Sequence, residues 1–398
     1  MSYGYDIRTG NSRIYFGSKI FIAARNIMEC KIYESCSGCQ IMHIPYEQQL
    51  KDKANEALTR LGLEHSPGMV SGGKFQYRSR LDFTFERIGE SFRFGLYSKE
   101  RGGLVDIDTC PVLDDELNQA LSFFRNNPPP IVEKGSVRIR ISPAKDWGIW
   151  LDFSNINVKQ LFDEKEWLST INNKFIVEVG QRNKRLIWDG SRFKLIDPVP
   201  HDWFVTPIDG GELDLPLYTT IGGFTQSGFD GNKQLVKTVL EFSQDNSITN
   251  WVELFGGSGN FTFPLASLGF KVSMFEVDKL ALVGFQKSLE GFKKKENIEV
   301  HRQNLYSPKV DLDIFSKHSG LLVDPPRSGL KTMISRIAEL SSESRPPVII
   351  YVSCFLDSLA NDVHALAELG YEIDKVCGVD QFAQTSHCEW VVRLTQKP

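Results

Sequence analysis

The chain has 398 residues, which at ~150 residues per domain implies two or three domains. Hydrophobic residues make up 41% and charged residues 24%, a globular composition that excludes a disordered or fibrous chain. The net charge is -4, but residues 1–200 hold 28 Lys+Arg against 25 Asp+Glu and residues 201–398 hold 18 against 25, so a polyanion would meet the front half.

The N-terminus, Met1-Ser-Tyr-Gly-Tyr-Asp-Ile-Arg, has no apolar signal segment. The longest apolar stretch, near residues 348–356, is far short of the ~20 residues that span a bilayer. A cytoplasmic protein without membrane contact is expected. Seven cysteines are too sparse for a disulfide scaffold, and their number is odd. Cys30, Cys36 and Cys39 form C-x5-C-x2-C, and Cys110 follows in Asp-Thr-Cys-Pro. In a reducing compartment such clustering points to metal binding or catalysis.

Residues 43–62 read as one helix, with Pro45 suited to its first turn and Gly62 to its C-terminal cap. From Phe75 to about Leu195 short alternating runs appear, among them Leu81-Asp-Phe-Thr-Phe, Val137-Arg-Ile-Arg-Ile and Phe175-Ile-Val-Glu-Val. Period-two alternation broken by Gly, Asn and Pro predicts an antiparallel sheet. After about Phe224, apolar strand-like runs at 250–255, 271–276, 298–301, 321–324, 348–353 and 390–394 alternate with helix-length segments at 232–242, 261–268, 279–294, 331–340 and 358–369. Buried parallel strands joined by helices predict a doubly wound α/β domain.

Within that domain, Glu253-Leu-Phe-Gly-Gly-Ser-Gly-Asn-Phe is a strand, a glycine turn and a helix start. Glu276 ends the next strand, 20 residues after Gly256, at the offset where an acidic residue meets ribose hydroxyls. The third glycine of a hydride-cofactor fingerprint is absent, so the loop suits S-adenosylmethionine, which has ribose and no pyrophosphate. Ligands of open α/β sheets lie beyond the carboxyl ends of the strands. Three chemical groups fall there: Asp324, locked out of helix by Pro325-Pro326; Cys354, between a strand and a helix; and Glu389, at the start of the last strand. A thiolate, a fixed carboxylate and a second carboxylate form a working set for methylating a pyrimidine at C5. The thiolate adds at C6, C5 then attacks the methyl, and a base removes the C5 proton so that the thiolate can leave.

In this order the motifs resemble the RNA uracil-5 methyltransferase family, which makes 5-methyluridine in rRNA and tRNA. The matching pieces run from about Cys30 to the C-terminus. They include the cysteine cluster, Tyr77-Arg-Ser-Arg-Leu-Asp-Phe, Val105-Asp-Ile-Asp-Thr-Cys110-Pro-Val-Leu, Phe224-Thr-Gln226, the glycine loop, Asp324-Pro-Pro-Arg-Ser-Gly, Tyr351-Val-Ser-Cys354 and His387-Cys-Glu389. The resemblance implies Cys354 as nucleophile, Glu389 as base and Asp324 as the hydrogen-bonding partner of the uracil and part of the cofactor pocket. It implies Gln226, Gly257 and Glu276 as holders of S-adenosylmethionine, with Phe255 and Asn304 lining its pocket. It further implies a four-iron four-sulfur (4Fe-4S) cluster on Cys30, Cys36, Cys39 and Cys110. Four thiolates can also hold zinc, although C-x5-C is an unusual zinc spacing.

The fold class implied is α/β: a Rossmann-like class I methyltransferase domain, an antiparallel β-rich central domain and an N-terminal cysteine-cluster segment. The segments are expected at 1–42 (cysteine cluster, completed by Cys110), 43–74 (a helix on the methyltransferase domain), 75–220 (central, RNA-contacting) and 221–398 (methyltransferase), with Lys74, Arg78, Arg80, Arg93, Lys99 and Arg101 among aromatics of the basic front half as the RNA surface. With 29 residues before Cys30, no N-terminal TRAM barrel is expected, and the protein should act on RNA as a monomer. The chain departs from the family pattern at Phe355-Leu356 (usually Asn-Pro), Asn361 (Arg), Ser227-Gly228 (Val-Asn) and Gly256 (Cys). A non-catalytic iron–sulfur RNA-binding or folding factor is the competing expectation.

Overall fold

The computed structural model describes residues 30–397 except 101, 154–157, 181–183, 246, 308–314 and 316–319, together with the backbone of three short N-terminal strands. Residues 1–32 form one unit. In it β1 (Tyr3–Tyr5), β2 (Ser12–Phe16) and β3 (Lys19–Ile22) pair as an antiparallel sheet that the sequence reading did not anticipate. The rest of the chain, from Tyr33, forms the second unit.

The second unit begins with α1 (Tyr46–Arg60) and β4 (Gly68–Ser71). Pro45 sits just before the helix and its carbonyl accepts from the Gln48 and Gln49 N–H groups. Gly62 ends the helix in the left-handed region (φ +63), where a side chain would be strained.

A central eight-stranded sheet follows. It comprises β5 (Arg80–Ile88), β6 (Ser91–Tyr97), β7 (Leu104–Asp106), β8 (Lys134–Ile141), β9 (Trp147–Asp152), β10 (Phe175–Val179), β11 (Lys184–Trp188) and β12 (Phe193–Ile196), in the spatial order β12-β11-β10-β9-β8-β5-β6-β7. Its pairings are antiparallel with one exception: β9 and β10 run parallel. A parallel pair needs a crossover, and α3 (Lys165–Asn172) lies in it. A second helix, α2 (Asp115–Asn126), was also absent from the expected all-strand region. Its signal is local. Asp114 caps it by accepting from the Leu117 N–H at 2.6 Å, and Leu117, Ala120, Leu121 and Phe124 bury one face at helical spacing.

A hairpin of β13 (His201–Ile208) and β14 (Leu213–Thr219) lies in the stretch expected to be central, but it packs on three helices of the C-terminal region. Those helices are α4 (Phe229–Ser243), α5 (Thr262–Ser267) and α6 (Lys279–Glu290). The remaining elements are β15 (Asn250–Leu254), β16 (Lys271–Glu276), β17 (Ile298–Arg302), β18 (Gly320–Val323), α7 (Thr332–Ala338), β19 (Val348–Ser353), α8 (Leu356–Glu368), β20 (Tyr371–Asp380) and β21 (Glu389–Gln396).

These strands make a second eight-stranded sheet, ordered β17-β16-β15-β18-β19-β21-β20-β4. β15 to β19 are parallel, and β21 runs antiparallel between β19 and β20. Alternate residues of one strand enter two cores: Val252 and Leu254 pack with α7 and α8 on one face, and Trp251 packs with α4 to α6 on the other. The strand order reverses on either side of β15, which puts a switch point at its carboxyl end.

The segment before the central sheet is built into this C-terminal sheet. β4 pairs in parallel with β20, and Lys53 of α1 reaches Asp380 at the end of β20, Nζ to Oδ1 2.8 Å. Both side chains are essentially buried. Removing one partner of such a pair leaves an uncompensated buried charge. Lys53→Met should therefore lower the unfolding free energy by about 3–5 kcal/mol. Urea denaturation would read it, and Lys53→Met with Asp380→Leu should recover most of the loss.

Candidate active site

The glycine loop leaves the end of β15 through Phe255, a non-glycine residue at φ +64. Left-handed backbone at an aromatic residue is strained and persists only where its surroundings hold it. Here the Phe255 ring packs at 5.7 Å on Tyr306, whose hydroxyl donates to the Gly329 carbonyl at 3.1 Å. The loop itself is tied down by Glu276. One carboxylate oxygen accepts from the Gly257 N–H at 2.9 Å, and the other accepts from the N–H groups of Val277 and Asp278. Gly256 has no room for a side chain, since a Cβ there would lie 2.3 Å from Met274 Cγ. Met274 thus accounts for glycine at this position.

Behind the loop, Glu253 is buried in β15 and accepts from the Thr262 hydroxyl at the start of α5. Burial pushes its carboxyl up to about 8, with Asp324 and Glu276 adding to the rise. Asp324 follows β18, with its backbone N–H facing the Leu254 carbonyl at 3.5 Å. The turn after it is fixed from α8. There the buried Asp362 accepts from the Leu330 N–H at 2.7 Å and from the Tyr351 hydroxyl at 2.6 Å. Gly329 (φ +73) is required beside it, because a Cβ would meet Asp362 Oδ2 at 2.5 Å.

Cys354 follows β19. The Ser353 hydroxyl accepts from the Phe355 N–H at 3.1 Å, turning the chain toward α8. Glu389 opens β21, the antiparallel neighbour of β19, one step beyond the Ser353–Trp390 pair. Its Oε2 is buried with no hydrogen-bond partner among the described residues. Gln226 is buried and its side-chain oxygen accepts from the Gln381 amide at 3.3 Å. The adjacent Ser227-Gly228 meets the Tyr77–Ser79 backbone so closely that a Cβ on Gly228 would lie 1.8 Å from the Tyr77 carbonyl. That approach requires glycine there.

One cavity of about 1070 Å³ is lined by Cys354, Glu389, Asp324, Gln226, Phe255, Gly257, Glu276 and Asn304 together. All eight residues picked from the sequence for catalysis and cofactor binding therefore meet at one place. The volume lies at the upper end of the range for ligand pockets. Cys354 also lines a second, small cavity of about 170 Å³ with Lys53, Glu56, His387 and Trp390.

The electrostatics are set by burial. The Cys354 thiol is pushed up to about 11 by burial first, then by Glu389 and Asp324; a hydrogen bond from Arg327 opposes the rise. Burial raises Asp324, and burial and then the Asp324 charge raise Glu389 well above the carboxylate range, with Arg327 again opposing. Arg327 is thus the cation that opposes both shifts. It was read only as part of a motif, and its role depends on contacts that sequence does not display.

The cysteines divide between the two units: Cys30 belongs to the first, and Cys36, Cys39 and Cys110 to the second. Buried Cys36 accepts from the Gly38 N–H at 3.4 Å. Among the described residues no three cysteine sulfurs lie within 4.8 Å of one another. A single tetrahedral zinc, with Zn–S of about 2.3 Å, would hold its thiolates ~3.8 Å apart.

Of the basic residues expected to face RNA, several are engaged within the protein. Arg80 donates to the Thr225 carbonyl and pairs with Asp82, and Lys99 donates to the Tyr33 carbonyl while lying over its ring. Arg78 lines the large cavity, Arg93 sits opposite Glu86 in the central sheet, and Arg101 lies outside the described residues.

The parallel sheet, the glycine loop at its switch point and the acids at the strand ends define a methyltransferase of the S-adenosylmethionine-dependent class. Residues 214–397 match the tRNA (uracil-5-)-methyltransferase family model. An uncharacterized RNA methyltransferase of Bdellovibrio bacteriovorus is 33% identical over 92% of this chain and 95% of its own. The 23S rRNA (uracil(1939)-C(5))-methyltransferase RlmD of Haemophilus parainfluenzae is 29% identical over 91% of this chain and 81% of its own. Among solved structures, the Pyrococcus abyssi tRNA (uracil-54, C5)-methyltransferase in complex with S-adenosyl-L-homocysteine matches with a TM-score of 0.65 and 20% identity, covering 97% of this chain and 93% of that one, which is agreement of fold. The chain belongs to the RNA uracil-5 methyltransferase family and is an S-adenosylmethionine-dependent RNA methyltransferase.

A thiol held near 11 is almost wholly protonated at neutral pH. Iodoacetamide should alkylate Cys354 of the free enzyme at pH 8 about 100-fold more slowly than an unburied thiol, with the rate climbing toward pH 11. Arg327→Ala should slow it further, and mass spectrometry of the Cys354 peptide reads both effects.

Proposed function

We propose that the protein transfers a methyl group from S-adenosylmethionine to C5 of a uridine in rRNA or tRNA through a covalent bond between Cys354 and C6. The observation that carries this reading is the meeting of Cys354, Glu389 and Asp324 with the glycine loop in one cavity. Acidic residues crowd the loop, which suits a sulfonium cation. When bound, S-adenosylmethionine supplies an electrophilic methyl group. Gln226, Gly257 and Glu276 hold it, with Phe255, Asn304 and Asp324 around them.

Asp324 hydrogen-bonds the edge of the uracil, and Arg327 stabilises the Cys354 thiolate. The Cys354 Sγ–C6 bond forms as the C5=C6 π pair moves toward O4 and C5, and C5 takes the methyl as its bond to the sulfonium sulfur breaks, leaving the neutral thioether S-adenosylhomocysteine. The unpartnered Glu389 Oε2 then accepts the C5 proton, the Sγ–C6 bond breaks, and Cys354 leaves as a thiolate. A raised carboxyl is the stronger base for that proton once ionised.

Cys36, Cys39 and Cys110 fit as thiolate ligands of a 4Fe-4S cluster, the fourth ligand, Cys30, resting on the sequence pattern. The cluster would act as a brace. The Cys39-flanking Gln40 and Ile41 N–H groups bond the Gln384 carbonyl, ahead of Glu389, and the Cys110 segment bonds Gln76 and Arg78 through Pro111 and Val112.

Incubation with cofactor and undermethylated RNA carrying tritium at uracil C5 should release that tritium. Glu389→Gln should slow release by about 10²–10⁴-fold and accumulate an enzyme–RNA adduct that survives denaturing electrophoresis. Tritium release by Cys354→Ala would exclude the covalent route.

A further inference from the structure

Two arginines that line the large cavity have no ion-paired acidic partner among the described residues. Arg78 and Arg327 line it with Cys354, and among the described residues neither lies within ion-pair distance of a carboxylate. Nearby arginines differ: Arg80 and Arg138 share Asp82, and Arg140 donates to the Thr220 and Gly223 carbonyls. Arg78 is half-buried with its guanidinium 5.9 Å from the Tyr77 ring, and Arg327 is exposed at the cavity wall beside the Cys354 thiol.

Their charges converge on His387, just before the Cys388-Glu389 step. Burial, then Arg327, Lys53 and Arg78, hold the imidazole below its usual range. Lys53 is neutralised by Asp380, so the open cationic character belongs to the two arginines. Two segments remote in sequence thus place guanidinium groups on the wall of the cavity that holds the nucleophile, and among the described residues no carboxylate forms an ion pair with either.

Guanidinium forks suit phosphate oxygens, and phosphate contacts fix the register of a nucleic acid without reading its sequence. We propose that Arg78 and Arg327 clamp a phosphodiester flanking the target uridine, setting C6 over Cys354. This rests on the uridine methyltransferase reading and adds a positioning device to it. Arg78 is the cleaner probe, because Arg327 also touches the thiol. The Arg78 main chain is held independently of its side chain, its N–H by the Val112 carbonyl and its carbonyl by the Asp114 N–H, both at 2.9 Å.

The test uses the full chain with Arg78→Ala, Arg78→Gln and Arg78→Lys, each checked by thermal unfolding. With undermethylated rRNA and tRNA, the Ala and Gln variants should raise KM about 10-fold or more and reduce the salt slope of log KM by about 1. Arg78→Lys should recover part of the loss, and cofactor affinity by calorimetry should stay within about twofold of wild type, a change of about 0.4 kcal/mol. Uridine 3′,5′-bisphosphate should protect Cys354 from iodoacetamide better than uridine does, and that advantage should vanish in Arg78→Ala. An unchanged KM and salt slope would overturn the clamp. So would a loss of cofactor affinity with unchanged RNA KM, which would assign Arg78 to the cofactor carboxylate. The protection assay needs no turnover, so a wild type that methylates no uridine would refute the functional reading while the clamp was still decided.

Discussion

Burial of ionisable groups around Cys354 is the constraint on which the site depends. Burial raises the Cys354 thiol and the Asp324 and Glu389 carboxyls, the two acids add to the rise at Cys354, and Asp324 adds to the rise at Glu389. Arg327 is the counterweight within reach. A cationic cofactor entering the same cavity would favour ionisation further, which couples nucleophile activation to cofactor occupancy.

The scaffold around the cavity exists to hold loops that come from far apart. Glu276 ties the glycine loop to the end of β16, and Asp362 ties the Asp324 turn to α8 and β19. Gln49 of α1 donates to Gln384, and Gln381 reaches Gln226, so the chain leading into Glu389 is gripped from α1 and from the segment before α4. Lys53 and Asp380 set the depth of α1 against β20. None of these contacts touches the reacting atoms, but each fixes a backbone that carries one.

Much of the C-terminal domain was legible in the sequence, because parallel strands buried on both faces read as apolar runs. Lys271–Glu276 and Val348–Ser353 fell where expected. The glycine loop, Asp324, Cys354 and Glu389 were legible for a related reason: strand ends are where polar residues interrupt such runs. β4 was not legible, since Gly68-Met-Val-Ser is too short to display a period and is a strand only because β20 offers it an edge. β20 itself was overlooked, although its residues alternate, because Glu372, Asp374 and Lys375 make it read as a polar connection. The parallel β9–β10 pair was hidden for another reason. Direction of pairing leaves no mark in a short strand. Glu253 was visible as a charge inside an apolar run, but its meaning required Thr262 and the buried space behind the loop. Arg78 read as one of several RNA-facing basic residues and Arg327 as part of the Asp324-Pro-Pro-Arg motif; that both line one cavity without an ion-paired carboxylate among the described residues is visible only in the fold.

The central claim is that this cavity methylates uridine at C5 in cellular RNA. Mass mapping of 5-methyluridine in rRNA and tRNA from cells with and without the gene tests it most directly. The account predicts that at least one 5-methyluridine disappears on deletion and returns with the wild-type gene but not with Cys354→Ala. An identical 5-methyluridine map in the two strains would contradict it.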